Sequence, residues 1–274
     1  MINLSEYKEL TVDEEKAIAL EILLDIHNFC QQENITYYLA YGTLIGAIRH
    51  QGFIPWDDDI DICMPRADYE RFINSYKHKR FKIMCREHDD TCLLRFAKVY
   101  ANDTIILPSN HKNLGIFIDI FPVDGLPEEK NKALKFNNYV LFCQKCYECT
   151  MVLRNNRNGL SNWLRYIACV LFYAIRYGAF TLYQRRDICM LIEKKYDYVL
   201  SNNFCGLCYN ANTKDLISKK SVETVIPVKF ENYTFNAPID YDAWLKCNYG
   251  DYMQLPPESQ RTPSHGYHYY IRKS

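Results

Sequence analysis

The sequence has no net charge: 33 Lys and Arg balance 33 Asp and Glu across 274 residues. A strongly basic face able to grip duplex nucleic acid is therefore not expected, and only a local basic pocket stays open. No leader is visible, because the opening MINLSEYKELTVDEEK has neither a basic start nor an apolar run. No uncharged apolar run is long enough to span a bilayer, since Arg165 and Arg176 interrupt the most apolar stretch, residues 160–184. Internal repeats and low-complexity linkers are absent. Glycine and proline are scarce, ten of each, against 23 tyrosines. A chain so rich in aromatics is not a disordered one. What is left is a globular protein, 48% hydrophobic, with enough apolar material for a real core. Its twelve cysteines, with no secretory leader, point to free thiols in a reducing cytoplasm.

The stretch that stands out is Tyr37 to Pro65, YYLAYGTLIGAIRHQGFIPWDDDIDICMP, which holds Asp57, Asp58, Asp59 and Asp61. It reads as a strand at 35–40, a Gly42-Thr43 turn, a short helix from Thr43 to His50 ended by Gly52, a loop, and a second strand at 58–63. Strand alternation would put Asp57, Asp59 and Asp61 on one face and Asp58 with Ile60 on the other. Carboxylates this close repel one another, and a fold tolerates them when a cation sits among them. Hard oxygen ligands on a rigid strand suit Mg²⁺, or Mn²⁺ in its place. A calcium loop of the EF-hand kind does not fit: counting from Asp57, the sixth and twelfth positions are Ile62 and Asp68 rather than Gly and Glu.

Along the rest of the chain, Thr11 with Glu14 forms a capping box before an amphipathic helix reaching about residue 32. Pro65 opens a helix holding Tyr69, Phe72 and Ile73. Residues 81–85, 94–99 and 104–107 read as strands, as do 205–210 and 222–235, and a last helix is expected near 240–248. The apolar strand GIFIDIFPVDG at 115–125 carries Asp119 at its centre, where an isolated carboxylate is costly unless paired or bound to a metal. Long helices fill 128–200. In the stretch 160–184, Arg165 and Arg176 lie eleven residues apart on one side of a helix. That pattern fits either a buried helix with a polar stripe or an interfacial helix resting on a membrane.

The assembled residues resemble the LicD family, which includes the fukutin-related phosphotransferases. YGTLIGAIRHQGFIPWDDDIDICMPRADYERF resembles its opening signature, GIFIDIFPVDG its middle block and YGDYMQLPPESQR its closing block. The resemblance implies an α+β fold with a nucleotidyltransferase-like mixed sheet, a leading helix and a helical insertion. Residues 1–127 would form the catalytic core, 128–200 a helical subdomain, and 201–274 the strands and helix that complete the core. It also implies transfer of a phosphorylated alcohol, phosphocholine from CDP-choline, to a hydroxyl of a cell-surface glycan such as lipopolysaccharide, teichoic acid or a capsule precursor. Relatives use CDP-ribitol or other CDP-alcohols.

On that resemblance Gly42-Thr43 matches the family's Gly-Ser or Gly-Thr turn, Asp59-Ile60-Asp61 its Asp-x-Asp strand and Asp119 its third carboxylate. Asp59, Asp61 and Asp119 are thus the expected catalytic and metal-holding residues. Asp61 or Asp119 would take the proton of the attacking hydroxyl. Backbone N–H groups at Gly42 and Thr43 would cradle phosphates, with Arg49 and Lys98 as candidate phosphate cations or, equally, as surface charges. Arg261 and His265 are weaker candidates from the tail. Trp56, Asp57, Phe121 and Asp124 complete the expected substrate site, with Tyr37, Tyr38, Tyr41 and Tyr100 nearby, because a quaternary ammonium is held against aromatic faces beside a carboxylate. Three other readings stand beside this one. The chain is a true nucleotidyltransferase; it is a binding-only member, which the three acids argue against; or Cys143, Cys146, Cys149, Cys205 and Cys208 bind structural zinc. Partners are expected to be a CDP-alcohol and a glycan or lipid-linked glycan, with no nucleic acid. The expected place is the cytoplasm, at the inner face of a membrane if 160–184 is interfacial.

Overall fold

The computed structural model describes residues 4–89, 92, 94–108, 114–155, 160–177, 190, 194–202, 204–206, 216–263 and 266–273. In chain order they form β1 (Tyr7–Glu9), α1 (Val12–Glu33), β2 (Tyr38–Leu39), α2 (Tyr41–Ile45) continued by a π-turn over Gly46–His50, β3 (Asp61–Pro65), α3 (Arg66–Ser75), β4 (Phe81–Met84), β5 (Ala97–Ala101), β6 (Thr104–Leu107) and β7 (Phe117–Gly125). Then come α4 (Lys130–Asn155), α5 (Leu160–Tyr177), β8 (Phe204–Gly206), β9 (Leu216–Ser218), β10 (Val225–Phe230), β11 (Tyr233–Pro238), α6 (Tyr241–Tyr249) and β12 (His268–Arg272). Helices and mixed sheets make this the expected α+β fold. The chain divides into two compact units, one of residues 1–122 and 220–274, the other of residues 123–219.

In the first unit the sheet runs β2-β3-β7-β5-β4. Antiparallel pairing sets Tyr38 opposite Cys63 and Lys98 opposite Asp119. The N–H of Asp119 donates to the carbonyl of Ile60 at 2.9 Å, which holds the middle of β7 beside the entry to β3. Helix α1 buries Ile18, Ile22, Leu23, Ile26 and Cys30, one stripe at helical spacing. The capping box forms: Thr11 Oγ1 accepts from Glu14 N–H at 3.3 Å, and Glu14 Oε2 accepts from Thr11 N–H at 2.9 Å. Asn34, left-handed at φ 52°, ends the helix. Phe29, Phe72 and Tyr76 pack α3 on α1, and the Tyr76 hydroxyl donates to Asp25 at 2.5 Å.

Several boundaries differ from the sequence reading. The short helix starts at Tyr41, so Gly42 and Thr43 lie inside its first turn. Gln51, at φ 56°, is the residue that ends it. Gly52 lies against another part of the chain. A Cβ there would lie 2.2 Å from Glu231 Oε1, the carboxylate oxygen that accepts from the Phe53 N–H at 3.0 Å. The stretch at 222–235 is a hairpin, β10 and β11, turning at Glu231 with φ 55°. β12 pairs with both β1 and β6 in a small antiparallel sheet. Neither β1 nor β12 was expected, because both are short and carry no apolar alternation.

In the second unit the last residues of β7 pair antiparallel with β8, and β8 with β9. Helix α5 packs on α4 through Phe172, whose ring meets Phe142 edge-on at 5.1 Å. It is not a buried helix: Leu160, Leu164, Leu171 and Ile175 are all exposed. Within the described residues no helix is long and apolar enough to cross a membrane.

The capping box gives a direct check on α1. Thr11→Ala should cost about 1 kcal/mol of unfolding free energy, read as a shift in urea midpoint with an unchanged slope.

Candidate active site

Asp61 is the first residue of β3, between the buried Ile60 and Ile62. Its backbone is tied at both its N–H and its carbonyl to the start of α2. The Asp61 N–H donates to Thr43 Oγ1 at 2.8 Å, and the Asp61 carbonyl accepts from the Ala40 N–H at 2.9 Å. Thr43 therefore contributes its hydroxyl to placing an acid. Gly42 is set by the same acids: a Cβ at this position would lie 2.5 Å from Asp57 Oδ2, so the helix turn rests directly on a carboxylate.

The strand expected over 58–63 begins only at Asp61. Asp57 to Ile60 precede it in irregular backbone, entered through a turn in which Asp57 N–H donates to the Ile54 carbonyl at 3.0 Å. Strict alternation is lost, and Asp58 is not sent to the opposite face. One carboxylate oxygen from each of Asp57, Asp58 and Asp59 lies within 4.8 Å of the other two. A straight strand would stack Asp57, Asp59 and Asp61 on one face; the irregular path instead leaves Asp57, Asp58 and Asp59 half-buried and partly hydrated.

The electrostatics follow from this crowding. Burial first, then Asp59, Asp119 and Asp57, hold the Asp61 carboxyl well above the usual carboxylate range, with Lys98 acting the other way. Asp57 is pushed up to about 7 by burial, then by Asp59 and Asp58. These couplings put Asp57, Asp59, Asp61, Asp119 and Lys98 in one electrostatic neighbourhood. An all-oxygen, all-carboxylate donor set short of positive charge fits Mg²⁺ or Mn²⁺.

Lys98 is not a surface charge. It is buried, ion-paired with the Asp119 carboxylate opposite it in the sheet, and its Nζ sits 3.6 Å from the centre of the Phe117 ring. The carboxylate in the middle of β7 thus has a partner within the protein itself. Arg49 is engaged elsewhere. Its Nη1 donates to the carbonyls of Tyr252 at 2.5 Å and Gln254 at 3.4 Å, fastening the YGDYMQ block to the first motif.

The aromatic residues fall into two groups. Phe121 packs with Tyr41 at 5.6 Å and Phe96 at 4.6 Å, and Trp244 joins through Tyr41 at 5.6 Å. Tyr41 is half-buried and held at φ 45°, a conformation that costs a non-glycine residue about 1–3 kcal/mol. Trp56 sits instead beside His50 at 6.2 Å, with the Arg261 guanidinium 5.6 Å from its ring centre, which places Arg261 beside the residue that precedes the acids. Tyr37 and Tyr38 are core residues with no exposure. Tyr100 is half-buried opposite Phe117. Trp244 was missed; the clue was the Asp240 cap, which starts α6 so that Trp244 and Leu245 point inward.

Asp124 is buried in the second unit, opposite Gly206. Of the cysteines weighed for zinc, Cys143 and Cys146 are buried and Cys149 half-buried on α4. Cys208, the Cys205 side chain and His265 lie outside the described residues.

The Thr43 bond yields a test of how Asp61 is placed. Thr43→Val, similar in shape but with no acceptor, should cost about 1–3 kcal/mol by leaving the Asp61 N–H unpaired. Thr43→Ser should keep most of that stability. Urea unfolding of the three proteins checks both.

Comparison with known proteins fits this arrangement. The family model for the LicD/FKTN/FKRP nucleotidyltransferase domain matches residues 34–147, which hold Gly42, Thr43, the acidic loop, Lys98 and Asp119. The chain is 32% identical to the lipopolysaccharide cholinephosphotransferase LicD of Haemophilus influenzae over 283 aligned residues, covering 96% of this chain and 99% of that protein. An uncharacterized protein of Rickettsia prowazekii is 30% identical over 210 residues, covering 72% of this chain and 71% of its own. A second, from Rickettsia typhi, is 29% identical over 145 residues. Similarity of this extent, along almost the whole of a LicD protein, establishes that the chain belongs to the LicD family.

Proposed function

We propose that this protein is a cholinephosphotransferase that moves phosphocholine from CDP-choline to a hydroxyl of a lipopolysaccharide-type glycan and releases CMP. Membership of the LicD family makes it a phosphotransferase. The observation that carries the finer reading is that Asp57, Asp58 and Asp59 bring carboxylate oxygens within 4.8 Å of one another just before Asp61, whose proton affinity Asp59, Asp119 and Asp57 raise and Lys98 lowers. Phosphoryl transfer asks a protein mainly for positioning and charge neutralisation.

In this reading the acceptor oxygen bonds to the choline-bearing phosphorus, the bond from that phosphorus to the bridging oxygen breaks, and CMP departs with that oxygen. The hydroxyl proton passes to a carboxylate. Asp119 is held by Lys98, so we assign the proton to Asp61, whose backbone Thr43 and Ala40 fix. Asp59, Asp61 and Asp119 would hold a divalent cation. When bound, that cation would neutralise the diphosphate and ease departure of the leaving group. Gly42 leaves room for the Asp57 carboxylate at the edge of the group. For the choline headgroup, the half-buried rings of Tyr41 and Phe96, backed by the buried Phe121 and Trp244, are aromatic surfaces of the kind that hold quaternary ammonium, at about 0.5–2 kcal/mol per contact. Trp56 has the Arg261 guanidinium 5.6 Å from its ring centre, as Phe96 has Lys98 Nζ at 5.2 Å.

The test is CMP release from CDP-choline with Mg²⁺ and a lipopolysaccharide acceptor, run against CDP-ribitol and CDP-glycerol. Release with CDP-choline alone is expected, EDTA should stop it, and Asp61→Asn should lower turnover at least about 100-fold. Release only from a polyol donor would replace choline while keeping the phosphotransfer. A product bearing CMP would make the protein a nucleotidyltransferase, and unchanged turnover in Asp61→Asn would remove the acids from the chemistry.

A further inference from the structure

Helix α5 turns its apolar side outward. Leu160, Trp163, Leu164, Ile167, Leu171 and Ile175 recur at three- and four-residue spacing and so share one side of the helix. All six are exposed, Leu160 to 77%, Leu164 to 58% and Ile175 to 85%. The opposite side makes the contacts with α4: Phe172 meets Phe142, and the Cys169 thiol reaches Cys146. A surface helix ordinarily places such a stripe against a core. Here the core-facing side is the other one, and the stripe faces solvent.

Charge and size decide what covers it. Residues 160–177 contain Arg165 and Arg176, both exposed, and no acid. The charge of this helix would attract a surface with anionic headgroups. Both arginines lie on the side of the helix away from the stripe, Arg165 near Cys169, so they give the helix a net positive charge, while Trp163 within the stripe favours the headgroup depth. At 1.5 Å per residue the helix is about 27 Å long and about 10 Å wide, so its stripe offers roughly 300 Å². A stable protein interface takes about 800 Å² from each partner. The stripe is therefore too small for a second copy of this chain and well matched to an in-plane lipid contact. We infer that α5 is a peripheral membrane-binding helix that docks its Leu160–Ile175 stripe into an anionic lipid surface. The inference stands apart from the catalytic reading, since the stripe belongs to the second unit and its test needs no substrate.

Flotation of the full-length protein with phosphatidylcholine vesicles, with and without phosphatidylglycerol, tests it. Co-flotation with the anionic vesicles is expected, weaker with neutral ones and reduced by high salt. The double variant Leu164→Asp/Ile175→Asp should lose at least about tenfold in partitioning, with its circular dichroism unchanged. Arg165→Gln/Arg176→Gln should lower binding to anionic vesicles and reduce the difference between the two lipid mixtures. Absence of flotation overturns the proposal, and so does equal flotation of wild type and the aspartate variant. A concentration-dependent dimer in gel filtration that the aspartate variant abolishes would assign the stripe to a second copy and would overturn it too.

Discussion

Repulsion between carboxylates is the constraint on which the site depends. After burial, Asp59, Asp119 and Asp57 raise the proton affinity of Asp61, and Asp59 and Asp58 that of Asp57; only Lys98 opposes them among the influences on Asp61. The fold accommodates this in three ways. It keeps Asp57 to Asp59 out of the regular strand and partly hydrated. It pairs Asp119 with a lysine directly across the sheet. It fixes the Asp61 backbone through a threonine hydroxyl and the Ala40 N–H, so that the side chain cannot retreat. Breaking a buried pair such as Lys98–Asp119 by removing one partner leaves an uncompensated charge, typically a loss of about 3–5 kcal/mol. The pair is thus part of both the stability of the sheet and the electrostatics of the site.

The three sequence blocks that carry the family resemblance serve this arrangement in different ways. The first supplies the acids and the turn beneath them. The middle block supplies Asp119 and Phe121 from a single strand. The closing block reaches back to the first: Arg49 donates to the carbonyls of Tyr252 and Gln254, and Arg261 lies near the Trp56 ring. Arg49 looked like a phosphate ligand in the sequence because a cation near acids and a glycine turn suggests one. Its hydrogen bonds to main-chain carbonyls some 200 positions away are contacts that no local pattern encodes.

Much of the fold was legible because local signals agreed with tertiary ones. Thr11 and Glu14 announced α1, the apolar run around Asp119 announced β7, and Pro65 marked the start of α3. The parts that were not legible lacked a local signal. Tyr7–Glu9 forms a strand by pairing with His268–Arg272, which in turn pairs with Thr104–Leu107, contacts between distant parts of the chain. The irregular path of Asp57 to Ile60 reflects repulsion among side chains, which alternation rules ignore. Lys98 could not be distinguished from a surface lysine until the β5–β7 register set it against Asp119. For α5 the apolar pattern was plain, but which side faced inward depended on where α4 packs.

The proposed function needs the carboxylate group to hold a divalent cation, and binding of the ion alone is the most direct measure of that. Mn²⁺ titrated into the substrate-free protein can be followed through the electron paramagnetic resonance signal of the free ion. The account predicts saturable removal of Mn²⁺ from solution by the wild-type protein, competed by Mg²⁺ and lost in Asp61→Asn with the fold retained. No binding by the wild type, or undiminished binding by Asp61→Asn, would contradict it.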